Sequence, residues 1–141
     1  MANVEVIASD DIETYTTYSD ANGDYYLEVP EGPTYTIALH KDFFVDNGVS
    51  TFDIVISARH ILEIELFADS LQAVAADANN NNSVSSIDLV RMRQVILGIN
   101  DEFPESESWR FLPTGIMVQS DETIDFTGVK IGDPSGNANP N

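Results

Sequence analysis

Apolar and polar residues alternate from Asn3 to about His40: Val4, Val6 and Ala8 share one side, then Tyr25, Leu27 and Val29, then Tyr35, Ile37 and Leu39. A period of two predicts strands with one buried face. Between these runs stand Asp20-Ala21-Asn22-Gly23 and Pro30-Glu31-Gly32-Pro33. Their Gly and Asn tolerate positive φ, and their prolines lack the N–H that further pairing needs. The expectation is an antiparallel β-meander.

Past Lys41 the period changes. Ile54, Ala58, Ile61 and Leu62 recur at helical spacing, as do Leu89, Met92, Ile96 and Leu97, so two amphipathic helices are predicted. They are copies of one unit: VSTFDIVISARHILEI from Val49 aligns with VSSIDLVRMRQVILGI from Val84, 35 residues later. A duplicated loop-helix unit packs its apolar face against its twin. Residues 70–76 between the copies suit a short helix capped by Asp69 or Ser70, and Gly98 ends the last helix. Pro104 and Pro113 then mark loop. A final strand is expected through Ile124, Phe126, Val129 and Ile131, before a Gly-, Pro- and Asn-rich end expected to be mobile.

The organisation that follows is an α+β protein: a β-domain over 1–41, a loop-helix module over 42–103, and a loop and C-terminal strand over 104–141 that return to the β-domain.

The second copy opens with a chemically specific loop. Asp77, Asn79, Asn81, Ser85 and Asp88 place side-chain oxygens at positions 1, 3, 5, 9 and 12 of twelve, with Val84 at position 8. A hard divalent cation takes about six to eight oxygens at about 2.3–2.6 Å, and a tight loop aims positions 1, 3 and 5 inward together with the carbonyl of position 7, here Ser83. Position 6 needs a sharp turn; Asn82 is the most tolerant choice after glycine. An Asn-rich stretch of this kind is otherwise a polar loop whose amides satisfy their own turns. The register with Val84, Asp88 and the following helix favours metal.

The same register in the first copy reads Asp42, Phe44, Asp46, Asn47, Gly48, Ser50 and Asp53. Phe44 cannot ligate, so Asp42, Asp46, Gly48, Ser50 and Asp53 make at best a distorted second site. The alternative is a metal-free loop closed by Phe43 or Phe44, with Asp53 capping the helix. A third fragment, Asp133-Pro-Ser135-Gly-Asn137, repeats the first half of such a loop with no position-12 acid after it.

Composition agrees with a cation-binding role. Acidic residues outnumber basic ones 24 to 6, for a formal charge of −18, which repels nucleic acid and anionic membrane and attracts cations. No apolar run approaches the ~20 residues that span a bilayer. The start Met-Ala-Asn-Val lacks a signal-peptide pattern, and the chain reads as a segment of a longer protein. Cysteine is absent, which excludes disulfides and thiolate chemistry.

The duplicated VSTFDIV…HIL and VSSIDLV…VILGIN units with their Asp77–Asp88 loop resemble type I dockerins, in which two calcium-loop-plus-helix repeats dock onto cohesin domains. The resemblance implies calcium on Asp77, Asn79, Asn81, the Ser83 carbonyl, Ser85 through water, and Asp88. It implies partner reading at Thr51 and Phe52 in one copy and at Ser86 and Ile87 in the other. The stretch SDANGDYYLEVPEGPTYTIALHKD resembles prealbumin-like and Cna B-type β-sandwiches. The whole order is similar to segments of large Bacteroidetes surface proteins. The expected location is therefore secreted or cell-surface, and the expected partners are calcium with a cohesin-like domain or neighbouring copies joined by strand addition.

Catalysis is not expected. His40 and His60 have no partnered nucleophile signature, and no Gly-rich phosphate loop, CxxC or HExxH occurs. A Cna B-type isopeptide bond would have only Lys41 and Lys130 to use, since no other lysine exists. Trp109 and Phe111 read as core rather than as a carbohydrate grip. Asn81-Asn82-Ser83 matches a glycosylation sequon that metal ligation would occupy. Two roles remain. A docking module would expose Thr51, Phe52, Arg59, Ser86, Ile87, Arg91 and Arg93 as an open, partly apolar face, whereas a spacer would bury it.

Overall fold

A computed structural model describes residues 1–41 and 44–141 of the chain. It is α+β, with strands β1 (Glu5–Ser9), β2 (Thr14–Tyr18) and β3 (Tyr35–His40), helices α1 (Thr51–Ile61), α2 (Ser70–Ala76) and α3 (Ser86–Ile96), and strands β4 (Trp109–Leu112), β5 (Ile116–Val118) and β6 (Thr127–Lys130). The chain divides into two compact units. One comprises Met1–Lys41, Phe111–Gly128 and Pro140–Asn141, the other Asp42–Arg110 and Val129–Asn139.

The first unit is built on an antiparallel sheet ordered β2-β1-β3-β5. Strand β1 is thus central rather than first in a meander, pairing Val6 with both Thr17 and Leu39, and Ala8 with both Tyr15 and Ile37. Val6 and Ala8 are buried, as the alternation requires, and Tyr15 meets Tyr35 edge-on at 5.9 Å. The expected strand at Tyr25–Val29 is not a ladder strand. Its residues alternate between half-buried and exposed, and the Tyr25 hydroxyl donates to the Ile124 carbonyl at 2.7 Å, so the periodicity reports a half-buried extended segment. The strand that does pair, TYTTY over Thr14–Tyr18, was hidden by its polar hydroxyls.

In the second unit both helices start on the same device: Ser50 and Ser85 are N-caps in extended conformation, and Asp53 and Asp88 close capping boxes. Both end alike. Ile64 N–H reaches the Arg59 carbonyl and Ile99 N–H the Gln94 carbonyl, each at 2.9 Å, with Glu63 at φ 55° and Gly98 at φ 62° between. Glycine takes that left-handed conformation without cost, whereas Glu63 is strained in it. Helix α2 is capped by Asp69, whose Oδ1 accepts from Gln72 N–H at 3.0 Å.

The core between the helices holds Val49, Ala76, Ala78, Met92, Val95, Phe103 and Ile131, with Val84 and Ile54 packed against it. Val49 and Val84 fill equivalent positions in the two copies, each tying its loop to the helix that follows. Ile131 is fully buried there, so Val129–Asn139 belongs to the helical unit, while Phe111–Gly128 belongs to the unit of the sheet. Strands β4 and β6 form a two-stranded sheet. Trp109 and Phe111 are buried, but among the described residues the aromatics at the helix-pair core are Phe103, buried within it, and Phe67, packed against it.

Candidate metal centre

The loop from Asp77 to Asp88 is drawn together by its own side-chain oxygens. Asp77 Oδ1 accepts from Asn81 N–H at 3.1 Å and Oδ2 from Asn82 N–H at 2.9 Å. Asn79 Oδ1 also accepts from Asn81 N–H at 3.2 Å, and Asn81 Oδ1 from Ser83 N–H at 2.9 Å. From the other end Asp88 Oδ1 accepts from Asn79 N–H at 3.1 Å, while its Oδ2 takes the Ser85 N–H at 2.8 Å and the Ser85 hydroxyl at 3.1 Å. All six residues singled out in the sequence thus belong to one hydrogen-bonded frame. Asn82 adopts φ 61° and Asn80 φ 58°; the first was expected at position 6, the second was not.

The donor set fits a hard cation: two buried carboxylates, two amides, a hydroxyl and the Ser83 carbonyl, with no nitrogen or sulfur. An ionised carboxylate offers about four acceptor positions. Three are engaged on Asp88 and three on Asp77, whose Oδ2 also faces Arg110 at 3.3 Å, which leaves each carboxylate room for an ion. Arg110 also donates to the Asp77 carbonyl at 2.6 Å. Nothing in FPESESWRFLP marked this arginine. Its charge moderates the repulsion between the buried acids and competes with a bound cation.

The first copy is arranged differently from its sequence register. Asp42 and Phe43 lie outside the described residues. Phe44 and Asp46 are exposed, the latter in a turn whose carbonyl accepts from Val49 N–H at 2.9 Å. The frame is completed instead by the third fragment. Asp133 Oδ1 accepts from Asn137 N–H at 3.2 Å and Oδ2 from Ala138 N–H at 2.7 Å, the pattern Asp77 makes four and five residues on. Asp53 Oδ1 accepts from Ser135 N–H at 3.0 Å, as Asp88 does from Asn79, and Asp53 Oδ2 accepts from Ser50 N–H at 2.9 Å and Ser50 hydroxyl at 2.6 Å. Asp133, Ser135 and Asn137 therefore occupy positions 1, 3 and 5, and Gly48, Ser50 and Asp53 occupy 7, 9 and 12. The reason is steric and chemical: Phe44 at position 3 offers no oxygen, whereas the tail supplies oxygens in the required order. Among the described residues no three acidic or histidine side chains converge at either frame; each holds two carboxylates.

Beside this split frame, Lys130 is buried, with Nζ donating to the Val45 carbonyl at 2.7 Å and to the Ile131 carbonyl at 3.0 Å. Burial pushes its pKa down to about 8, opposed by Asp133, Asp46 and Asp53. The unfolded chain holds this proton to about pH 10.4, so between these values the unfolded state binds more protons and stability rises with pH. Unfolding in excess chelator should show a gain of about 1–2 kcal/mol from pH 8 to 9.5, and Lys130→Met should flatten that slope.

The remaining candidates are structural in their contacts. His60 stacks on Phe67 at 4.0 Å and accepts from the Phe67 N–H at 3.1 Å. The Lys41 ammonium donates to the Ala2 carbonyl. Among the described residues no helix is long and apolar enough to cross a membrane. Comparisons with family models, with curated proteins and with solved structures find no match for this chain.

Proposed function

We propose that the chain is a non-catalytic, calcium-stabilised structural module of a larger secreted or cell-surface protein, with a dockerin-like loop-helix pair and a prealbumin-like β-unit. The observation that carries this reading is the Asp77–Asp88 frame, in which an oxygen-only donor set is held by its own backbone on two buried carboxylates. The split frame at Asp53 and Asp133 extends the reading to a second ion. Extracellular modules of this kind bind calcium at about 10⁻⁴–10⁻³ M. Calcium titrated into isotope-labelled protein should shift the amide resonances of Asn79 to Ser85; spectra unchanged up to about 10 mM, well above that range, would remove the proposal.

A second reading, docking of a cohesin-like partner through the helix pair, is favoured by a specific observation. Four pairs of apolar residues at equivalent places in the two copies, Phe52 and Ile87, Val55 and Val90, Leu62 and Leu97, Ile64 and Ile99, are each at least 40% exposed. Thr51, Arg59, Ser86 and Arg93 are exposed with them, while Arg91 is half-buried and paired with Glu105. Isolated apolar residues on a surface are ordinary, but exposed apolar residues repeated at the same places in both copies favour an interaction surface. Calcium would then hold both loops that carry the outermost positions.

A further inference from the structure

The loops that precede α1 and α3 have the same hydrogen-bond frame but different origins. The α3 loop is continuous from Asp77 to Asp88. The α1 loop is assembled from two stretches 82 residues apart at the Ser135–Asp53 bond.

The tail stretch is fastened at several independent points. Ile131 is fully buried in the helix-pair core, and Gly132 N–H donates to the Ala75 carbonyl at 2.8 Å. Gln72 Nε2 donates to the Pro134 carbonyl at 3.0 Å. Asn47 and Asn139 exchange two bonds, Asn47 Nδ2 to the Asn139 carbonyl at 2.6 Å and Asn139 N–H to Asn47 Oδ1 at 3.1 Å. At the seam Ala138, in position 6, abuts Gly48, in position 7. A Cβ on Gly48 would lie 2.7 Å from Ala138 Cα, and Gly48 itself has φ 78°. The fit thus leaves no room for any other residue at that point.

We infer that Val129–Asn139 is a clasp that holds the first copy of the repeat in shape, so that one of two equivalent helix edges depends on the tail and the other does not. Thr51 and Phe52 lie between Ser50 and Asp53, the residues that the clasp braces through Asp53 Oδ1. Ser86 and Ile87 lie between Ser85 and Asp88, which are braced by their own loop. Releasing the tail therefore loosens the Thr51–Phe52 edge and leaves the Ser86–Ile87 edge in place. The value of that asymmetry rests on the docking reading; the clasp itself rests on contacts that need no ion.

Hydrogen exchange of the full chain in excess chelator tests it, with Gly48→Ala to force the seam apart and Asn47→Ala as a milder release. Amides of Val55–Ile61 in α1 should exchange about tenfold faster in Gly48→Ala and about threefold faster in Asn47→Ala, while those of Val90–Ile96 in α3 stay within about twofold. Unchanged α1 exchange in both variants, or equal acceleration of α1 and α3, would overturn the clasp. If Gly48→Ala does not fold, Asn47→Ala alone decides on the same criteria. Working without calcium separates the two ideas: loss of calcium binding in the parent protein leaves this result standing, and unaffected α1 exchange sinks the clasp alone.

Discussion

Asp88→Ala should destabilise the helical unit by about 3 kcal/mol even when no calcium is present, because Asp88 is fully buried and accepts three hydrogen bonds, from Asn79 N–H, Ser85 N–H and the Ser85 hydroxyl. Hydrogen bonds to a charged acceptor are worth about 1.5–3 kcal/mol each, and orphaned buried donors cost about 1–3 kcal/mol. Asn79 and Ser85 are only half-buried, so water recovers part of that loss and the total stays well below the simple sum. Urea unfolding in chelator measures it, with Asp121→Ala as the control. Asp121 is exposed, and surface changes of this kind fall within about ±0.5 kcal/mol. A loss below about 1 kcal/mol at Asp88 would mean that the capping box and the loop frame do not share one carboxylate as described.

That shared carboxylate explains why some of the molecule was legible in the sequence. Ser85 and Asp88 at capping-box spacing, Val84 between loop and core, Asn82 at the tight turn and Ile54 and Leu89 at helical period are all local signals. They gave α1, α3 and the complete Asp77–Asp88 frame. Gly98 marked the end of α3 in the same local way, whereas the equivalent end of α1 carried no such signal, because Glu63 stands in the left-handed position that the second copy fills with Gly98.

What was not legible depends on residues far apart. Asp133, Ser135 and Asn137 could be read as half a loop, but nothing local told that Asp53, 80 positions earlier, would close it. The register of the first copy pointed to Asp46, which is exposed in a turn, and to Asp42, which lies outside the described residues. Strand β2 escaped because Thr and Tyr carry hydroxyls that weaken an apolar alternation while suiting a pleated surface. Tyr25–Val29 shows the opposite failure, a true alternation without a ladder. Strand order was equally hidden, since β1 pairs on both sides and the sheet is completed by β5, which adds to β3 from residue 116.

The account stands most directly on calcium linkage at the second loop. An ion that binds only the folded state adds about 2.7 kcal/mol at one hundred times its dissociation constant, and in a unit of this size that raises the unfolding midpoint by about 10–20 °C. Thermal unfolding should be followed for the parent chain and for Asp77→Ala/Asp88→Ala, in calcium well above the expected dissociation constant and in excess chelator. The account predicts a rise of that size with calcium in the parent chain, and a smaller rise or none in the double variant, where only the split frame is left. Identical midpoints with calcium and with chelator in the parent chain would contradict it and leave a polar-looped helical pair whose acids serve only as caps.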